Sequence, residues 1–184
     1  MRVVAGELGG RRLVAPRGWR VRPTSDRVRE AIFSALGDIE GARVLDLYCG
    51  TGALGVEAIS RGAEAATLVD RDVRAALGNV RNLGLNDRID LVRANVVDWL
   101  KPRATRNEQP AIPFDLIFID PPYKLADRLG PELDPYLPGH LAEGGRVIVE
   151  CSARQPLELS LPRLRERRYG GTLVTFHGAL EEQR

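Results

Sequence analysis

The stretch Val44-Leu-Asp-Leu-Tyr-Cys-Gly-Thr-Gly52 decides the fold of this chain. It begins as a short apolar run, typical of a strand buried on both faces of a parallel sheet, and it ends in a glycine-rich polar cluster. The stretch Phe114-Asp-Leu-Ile-Phe-Ile-Asp-Pro-Pro-Tyr123 repeats this arrangement with a different polar end. Because open α/β sheets bind ligands at the carboxyl ends of their strands, we expect both clusters at one ligand-binding edge.

Strand and helix patterns alternate along the rest of the chain. This alternation predicts an α/β fold, a doubly wound and mostly parallel seven-stranded sheet with right-handed crossovers and an antiparallel hairpin near one edge. The predicted strands cover residues 43–47, 65–69, 89–92, 115–119, 146–151, 163–169 and 172–177. The predicted helices cover residues 53–61, 72–83, 96–100 and 129–137, and a further helix begins at Thr24-Ser25-Asp26 and ends at Gly37.

The chain divides into two predicted parts. Residues 1–23 form a basic β-hairpin, with Gly9-Gly10 as its turn, followed by an extended connector. Residues 24–184 form one domain, since 184 residues with 43% hydrophobic content are enough to build one core. The polar, proline-containing segment 101–113 is predicted to be a flexible loop.

Positive charge is concentrated near the N-terminus. Residues 1–29 hold eight arginines against two acidic residues, a local net charge of +6 in a chain whose total is +2. Arginine suits bidentate contacts with phosphate, although any single arginine can equally be a solvated surface residue. The arginines predicted to hold RNA phosphates are Arg2, Arg11, Arg12, Arg17, Arg20 and Arg22. A smaller basic cluster consists of Arg163, Arg165, Arg167 and Arg168.

Composition narrows the class of protein. No apolar stretch is long enough to span a bilayer, and the first residues lack the apolar core of a secretory signal. Cys49 and Cys151 do not have the spacing of a metal site. We therefore expect a cytoplasmic protein with reduced thiols and no metal.

The glycine-rich loop indicates a nucleoside cofactor. Gly50-Thr-Gly52-Ala-Leu-Gly55 follows a strand and opens a helix, and Asp70 ends the next strand, as in dinucleotide-binding folds. Asp46 discriminates between cofactors, because a carboxylate beside the loop repels a pyrophosphate. S-adenosylmethionine has no phosphate and carries two cationic groups. We expect Asp46 to bind its methionine end, directly or through water, and Asp70 to bind its ribose hydroxyls.

Two polar residues, Asn95 and Asp98, follow the third predicted strand. They are candidate contacts for the adenine amino group, and the amide of Asn95 can both accept and donate hydrogen bonds. Asn95 is equally well placed to cap the helix that begins after it. The two roles of Asn95 are compatible.

Asp120-Pro121-Pro122-Tyr123 is the candidate catalytic motif. An exocyclic amino group on a base is a poor nucleophile, because its lone pair is delocalised into the ring. The Asp120 carboxylate and the Pro121 carbonyl can accept hydrogen bonds from this group, with Pro122 fixing the direction of the carbonyl. Tyr123 offers a stacking face worth roughly 1–3 kcal/mol, and positioning is expected to supply much of the rate. The plain alternative is a proline turn that only ends the strand.

With these residues, the chain resembles the RsmD family of bacterial 16S ribosomal RNA guanine-N2 methyltransferases over essentially its whole length. The resemblance lies in Arg2–Leu13, Arg22–Glu30, Gly52–Ala63 and Asp120–Tyr123. The most specific of these is Arg22-Pro-Thr-Ser-Asp-Arg-Val-Arg-Glu30. Asn95 departs from the Asp expected in that family, and Cys49 departs from the usual alanine-like residue.

The resemblance implies a Rossmann-like, S-adenosylmethionine-dependent methyltransferase domain over residues 24–184. The implied reaction methylates one guanine N2 of 16S ribosomal RNA, in the small subunit or an assembly intermediate, and the enzyme is expected to be a monomer. Guanine N2 is paired in a duplex, so the guanine must be single-stranded or flipped. The resemblance also implies that Thr24, Asp26 and Arg27 help to close the cofactor site. The complete predicted cofactor set is Thr24, Asp26, Arg27, Asp46, Tyr48, Gly50, Gly52, Asp70 and Asn95.

Three other functions stay open at this point. A DNA adenine-N6 methyltransferase uses the same chemistry, and the motif at Asp120 does not distinguish the two amino groups. A dinucleotide-dependent oxidoreductase is disfavoured by Asp46 and by the lack of a second substrate domain. A non-catalytic RNA-binding module would have no need of an intact Asp120–Tyr123 motif.

Overall fold

The computed structural model describes residues 1–15, 25–102, 112–122 and 126–179 of the chain. The helices are α1 (Asp26–Leu36), α2 (Ala53–Ser60), α3 (Arg74–Leu83), α4 (Val96–Leu100), α5 (Ala126–Leu133) and α6 (Leu137–His140). The strands are β1 (Arg43–Leu47), β2 (Ala65–Asp70), β3 (Ile89–Arg93), β4 (Phe114–Ile119), β5 (Leu141–Ser152), β6 (Arg163–Tyr169) and β7 (Thr172–Gly178).

The described strands form one seven-stranded sheet in the order β3-β2-β1-β4-β5-β7-β6. Strands β1 to β5 pair in parallel, and β7 lies antiparallel between β5 and β6. This arrangement confirms the predicted doubly wound, mostly parallel sheet with its antiparallel hairpin at one edge. The strand order reverses at β1 and β4, which is where such sheets bind ligands.

Each face of the sheet is covered by its own apolar layer. Helices α1, α2 and α3 pack on one face, together with Val3 and Leu13 from the N-terminal residues. Helices α4, α5 and α6 pack on the other face. Strands β1 and β4 are buried on both faces, which explains why their sequences read as uninterrupted apolar runs.

Helix α1 begins and ends as its sequence predicts. The hydroxyl oxygen of Ser25 accepts a hydrogen bond from the Val28 N–H at 3.3 Å. Gly37 ends the helix with a φ of +76°, a conformation that glycine adopts at little cost. Thr24 lies outside the described residues, as does the predicted connector from residue 16 onward.

The N-terminal residues form a hairpin-like arm without regular strands in the described part (residues 1–15, the N-terminal arm). An antiparallel bridge joins Arg2 to Arg12, and the Val3 N–H donates to the Arg11 carbonyl at 2.9 Å. The chain bends and turns over residues 5–10, so a longer ladder does not form, and the N–H groups of Val4 and Ala5 donate to the carboxylate of Glu57 in α2. The predicted two-stranded hairpin is therefore reduced to one bridge held on a helix.

Most other element boundaries lie within two residues of those predicted, and two elements differ by more. Strand β5 begins at Leu141 and not at residue 146, since it continues through the Gly144-Gly145 pair with a register shift against β4. The helix predicted over residues 129–137 is divided into α5 and α6 by a turn. Most of the predicted loop 101–113 lies outside the described residues.

Both cysteines, Cys49 and Cys151, are buried free thiols. Among the helices of the described residues, none is long and apolar enough to cross a bilayer.

Candidate active site

The carboxyl ends of β1, β2 and β4 bring three aspartates to one edge of the sheet. Asp46 lies in β1, Asp70 ends β2, and Asp120 follows β4 directly. Strand β1 pairs with both neighbours, and the Asp120 N–H extends the pairing by donating to the Leu47 carbonyl at 3.4 Å. The two sequence clusters that were predicted to share an edge are therefore adjacent in the fold.

Residues 48–52 form the loop between β1 and α2, called here the cofactor loop. Glycine is needed at one position in this loop and at one position in the helix α2 that follows it. Gly52 has a φ of +76°, and a Cβ there would lie 2.8 Å from Leu68 Cδ2. A Cβ at Gly55, in α2, would lie 2.6 Å from Leu68 Cδ1. The loop therefore turns sharply and α2 packs directly against β2, as a glycine-rich ligand loop requires.

Tyr48 has a φ of +61°, which is unusual for a residue other than glycine and costs about 1–3 kcal/mol. Its N–H donates to the Val69 carbonyl at 2.9 Å, which holds the strained residue in place. Burial raises the pKa of its phenol to about 12, so the hydroxyl stays protonated at neutral pH. Strain of this kind is characteristic of ligand-binding loops.

Asp46 is the most unusual group of the site. Its side chain is 1% exposed, and Oδ2 accepts the Gly55 N–H at 3.0 Å. Oδ1 is buried and accepts no hydrogen bond from any described residue. Burial, reinforced by the negative charges of Asp120 and Asp70, raises the Asp46 pKa to about 8. A buried oxygen without a donor can accept a hydrogen bond from a ligand, and a cationic ligand would favour the charged form of Asp46.

Asp70 organises the cofactor loop. Oδ2 accepts the Gly50 N–H at 3.0 Å, and Oδ1 accepts the Asp72 N–H at 3.1 Å. Each carboxylate oxygen has a second lone pair, and the side chain is only partly buried. Asp70 can therefore hold the loop and accept hydroxyl donors from a ligand at the same time.

Asn95 is the N-cap of α4. Its Oδ1 accepts hydrogen bonds from the N–H groups of Val97 at 3.0 Å and Asp98 at 3.4 Å. The predicted capping role is confirmed. Because the oxygen is committed to the helix, an adenine contact of this residue would come from its amide N–H groups. Asp98 is exposed and pairs with Lys101 at 2.7 Å.

The candidate catalytic motif is described by the structure as far as Pro122. Asp120 is partly buried, Pro121 is buried, and Pro122 is exposed. Tyr123 lies outside the described residues. The two proposed acceptors, the Asp120 carboxylate and the Pro121 carbonyl, thus come from consecutive residues at the end of β4.

The other predicted site residues are dispersed or lie outside the described residues. Asp26 pairs with Arg29 at 2.8 Å and with Arg2 at 3.4 Å. Arg27 is exposed, and so are Arg11 and Arg12, which pair with no acidic group among the residues the structure describes. The predicted site residues that lie outside the described part of the chain here are Arg17, Arg20, Arg22 and Thr24.

Sequence reasoning missed Glu57, a fully buried carboxylate in α2. It accepts the N–H groups of Val4 at 2.7 Å and Ala5 at 3.0 Å, and the Nε–H of Arg61 at 2.8 Å. Buried charges need partners of this kind. Glu57 thereby fixes the N-terminal arm to the helix that leaves the cofactor loop. The sequence signal that could have indicated a buried charge is a single glutamate within the mostly apolar stretch from Ala53 to Ser60.

Sequence reasoning also missed Asn79, a buried amide in α3. Its Oδ1 accepts the Val14 N–H at 2.8 Å. Its Nδ2 donates to the carbonyls of Val14 at 3.1 Å and Thr51 at 3.0 Å. Asn79 therefore joins the end of the N-terminal arm to the cofactor loop. The signal was an asparagine beside Val80 on the apolar face of a helix.

Cys49 is not a candidate nucleophile, although it lies in the cofactor loop. Burial raises the pKa of its thiol far above the ordinary value, with the charges of Asp46 and Asp70 adding to the effect. A thiol of this kind is inert at neutral pH. No group of three or more metal-binding side chains suited to a metal ion occurs within the described parts of the chain.

Residues 1–178 of the chain match the model of a known protein family, "Conserved hypothetical protein 95". The "Ribosomal RNA small subunit methyltransferase D" of Buchnera aphidicola (subspecies Acyrthosiphon pisum) is 38% identical over 125 residues, which are 66% of this chain and 62% of that protein. The chain thus spans less than two thirds of that relative.

Two solved structures share the fold to different extents. A hypothetical protein of Thermus thermophilus is 30% identical with a TM-score of 0.79, and the match covers 97% of this chain and 99% of that one. A protein crystallised with SAH is 22% identical with a TM-score of 0.67, covering 85% of this chain and 49% of that one. The second likeness concerns the fold alone.

Proposed function

The chain belongs to the conserved hypothetical protein 95 family, which is the RsmD family named above, and from this premise we propose its activity. It transfers a methyl group from S-adenosylmethionine to the exocyclic N2 of a guanine in 16S ribosomal RNA. Residues 24–184 are the methyltransferase domain. The N-terminal arm and the connector that follows it, together residues 1–23, are basic and hold the RNA.

One observation carries the cofactor assignment: the buried Oδ1 of Asp46 lacks a donor among the described residues. The α-ammonium of S-adenosylmethionine supplies such a donor and a positive charge. A dinucleotide would instead bring its pyrophosphate to an edge that holds Asp46, Asp70 and Asp120. A pyrophosphate would keep Asp46 protonated and meet the negative charges of its neighbours, whereas a cationic cofactor favours the charged form of Asp46 and is attracted to this edge.

The residues present fit the parts of this cofactor. When bound, S-adenosylmethionine supplies an electrophilic methyl group on a cationic sulfur. Asp46 binds the ammonium, the glycines of the cofactor loop let the ligand approach the backbone, and Asp70 accepts the ribose hydroxyls. The amide of Asn95 contacts the adenine. Tyr48 lines the loop, and Thr24, Asp26 and Arg27 close the site.

Asp120 and Pro121 prepare the target amine. The carboxylate of Asp120 and the carbonyl of Pro121 each accept a hydrogen bond from N2, which holds it still and favours a pyramidal nitrogen. The nitrogen lone pair then lies in line with the methyl carbon, and the base stacks on Tyr123. When bound, the cofactor would supply the methyl carbon and would retain the C–S electron pair on a neutral sulfur as the N–C bond forms. The nitrogen gives up a proton to Asp120 or water.

The RNA reaches this edge as a flipped or single-stranded guanine, because N2 is paired in a duplex. The arginines of the N-terminal arm and connector hold phosphates, which position the RNA without selecting the base. The partner is the small ribosomal subunit or its assembly intermediate. We expect a cytoplasmic monomer that needs no metal ion, since the methyl donor is already an electrophile.

The test is nucleoside mass spectrometry after incubation with S-adenosylmethionine and one of three substrates: 30S particles, protein-free 16S RNA or DNA. We expect N2-methylguanosine in one or both RNA samples. N6-methyladenine in the DNA sample alone would replace the proposal with a DNA methyltransferase. If none of the three samples is methylated although calorimetry confirms cofactor binding, the assigned RNA substrate is wrong.

A further inference from the structure

A second basic surface lies at the edge of the sheet formed by β6. Six of the seven residues of this strand are exposed, and β6 pairs only with β7 among the described strands. Its last residues lead into the Gly170-Gly171 turn. We call Arg154, Arg167 and Arg168 the tip arginines, since they surround this turn.

Charge is distributed unevenly along β6. At its beginning, Arg163 is neutralised by ion pairs with Glu158 and with Glu166. The tip arginines form no ion pair with the residues the structure describes. Arg167 and Arg168 donate to backbone carbonyls, which leaves their positive charges uncompensated. Arg165 also forms no ion pair with a described residue, so unpaired positive charge extends along β6 and is most concentrated beside the turn.

That end lies at the same edge of the sheet as the candidate active site. Strand β5 runs parallel to β4, and β7 and β6 follow as an antiparallel hairpin, so the turn between them lies beside the carboxyl end of β5. The Ala153 N–H donates to the Gly171 carbonyl at 2.9 Å, which holds Arg154 next to the turn. The neutralised Arg163 lies at the opposite edge.

We propose, resting on the function proposed above, that the tip arginines bind backbone phosphates of the RNA next to the target guanine. Three strand spacings separate β4 from β6, so the tip lies roughly 14 Å from the end of β4. With one phosphate per about 3.4 Å of a stacked strand, this span covers about four nucleotides. Arg167 and Arg168 point to opposite faces of the edge strand, so they can contact phosphates on either side of it.

A protective role is the competing explanation. Charged side chains on an edge strand prevent it from pairing with the edge of another molecule. That role is independent of the sign of the charge. Charge does run along β6, including the unpaired Arg165, but the carboxylates Glu158 and Glu166 pair with Arg163 at its beginning, whereas the charges beside the turn are positive and without an acidic partner among the described residues, which favours a ligand role at that end.

The experiment measures binding of a 16S RNA transcript at several salt concentrations. The variants are Arg154→Gln, Arg167→Gln, Arg168→Gln and their triple combination. Arg81→Gln is the matched control, because Arg81 is an exposed arginine in the last turn of α3, away from this edge. Calorimetry with S-adenosylmethionine verifies the cofactor site of each variant, and light scattering records its mass.

We expect the triple variant to lower the slope of log affinity against log salt by about 2, roughly 0.7 for each lost phosphate contact. We expect its affinity to fall on the order of tenfold at low salt, while Arg81→Gln and cofactor binding stay unchanged. A triple variant with the wild-type slope overturns the tip assignment, and accompanying self-association would establish edge protection instead. A wild-type protein that methylates DNA alone overturns the proposed function and with it the RNA partner.

Discussion

Asp46 Oδ2 accepts the Gly55 N–H at 3.0 Å, so the carboxylate of β1 is tied across the cofactor loop to the first turn of α2. This bond uses one oxygen and leaves the other buried without a donor among the described residues. The same interaction therefore fixes the loop and orients an acceptor for a ligand. The Gly55 bond lowers the pKa of Asp46, but burial and the charges of Asp120 and Asp70 outweigh it and raise this pKa to about 8, so the free protein holds a proton there through most of the physiological range.

Cofactor binding is expected to release a proton. Below pH 8 the free site is mostly protonated, and a cationic ligand favours the carboxylate, so affinity should rise with pH and level off above about 8. Calorimetry at pH 7 in two buffers of different ionisation enthalpy should show nearly one proton released. Asp46→Asn should bind about ten- to a hundredfold more weakly and release none. An unchanged proton count in this variant would contradict the assignment.

Asp120→Ala is expected to lower turnover at least about a hundredfold. The target amine loses a hydrogen-bond acceptor that positions it, and it also loses a group that can take up its proton. Cofactor affinity should change little. The charge of Asp120 also helps to raise the Asp46 pKa, so the proton release at pH 7 should decrease in this variant. Asp120→Asn keeps an acceptor oxygen and should retain more activity than Asp120→Ala. Full activity of a correctly folded Asp120→Ala protein would place the reaction elsewhere.

Gly52→Ala and Gly84→Ala separate backbone strain from packing. Both glycines have positive φ, +76° and +71°, but a Cβ at Gly84 meets nothing within 4 Å. Gly84→Ala should cost about 1–2 kcal/mol, the cost of the left-handed conformation alone. Gly52→Ala adds the contact with Leu68 and should cost about 1–3 kcal/mol more. Chemical denaturation measures both, and equal losses would show that Leu68 moves aside freely.

The fold was predictable because its determinants are local. Strand β1 is a buried run that glycines end, and α1 carries its own cap at Ser25, so periodicity and turn chemistry locate both. The path of β5 through Gly144 was not predictable, since two glycines normally indicate a turn and only pairing with β4 keeps them in the strand.

The candidate site was predictable only where one residue type signals one chemistry. Asp46 and Asp120 stand next to recognisable loops and turns. Glu57 and Asn79 lie within helices, and their partners Val4 and Val14 are 53 and 65 residues away. Hydrogen bonds over such separations leave no periodic trace in the sequence, so the anchoring of the arm emerges from the tertiary structure alone.

Asn79→Ala is expected to weaken both stability and cofactor binding. The substitution removes three hydrogen bonds, including the buried one to the Thr51 carbonyl of the cofactor loop, and should cost about 2–4 kcal/mol. Asn82→Ala is the matched control, because Asn82 is exposed on the same helix. Thermal unfolding and cofactor calorimetry measure the two effects. A destabilised Asn79→Ala protein with wild-type cofactor affinity would show that the loop does not depend on this bond.

The N-terminal arginines are expected to anchor RNA phosphates and not to select the base. Residues 1–29 carry a net charge of +6, and Arg11 and Arg12 are exposed. Replacing Arg11, Arg12, Arg17 and Arg20 by alanine should raise the KM for RNA and lower the log–log salt slope by about 0.7–0.9 for each lost contact.

Cofactor affinity tests whether the quadruple variant keeps its fold, because the arm reaches the cofactor loop through Asn79. If these four arginines are only solvated surface residues, the slope of log affinity against log salt will equal that of the wild type. Anchoring predicts a lower slope with the same product, N2-methylguanosine, since phosphate contacts carry no base information. A variant with normal cofactor binding and an unchanged slope would refute the anchoring role, whatever its activity.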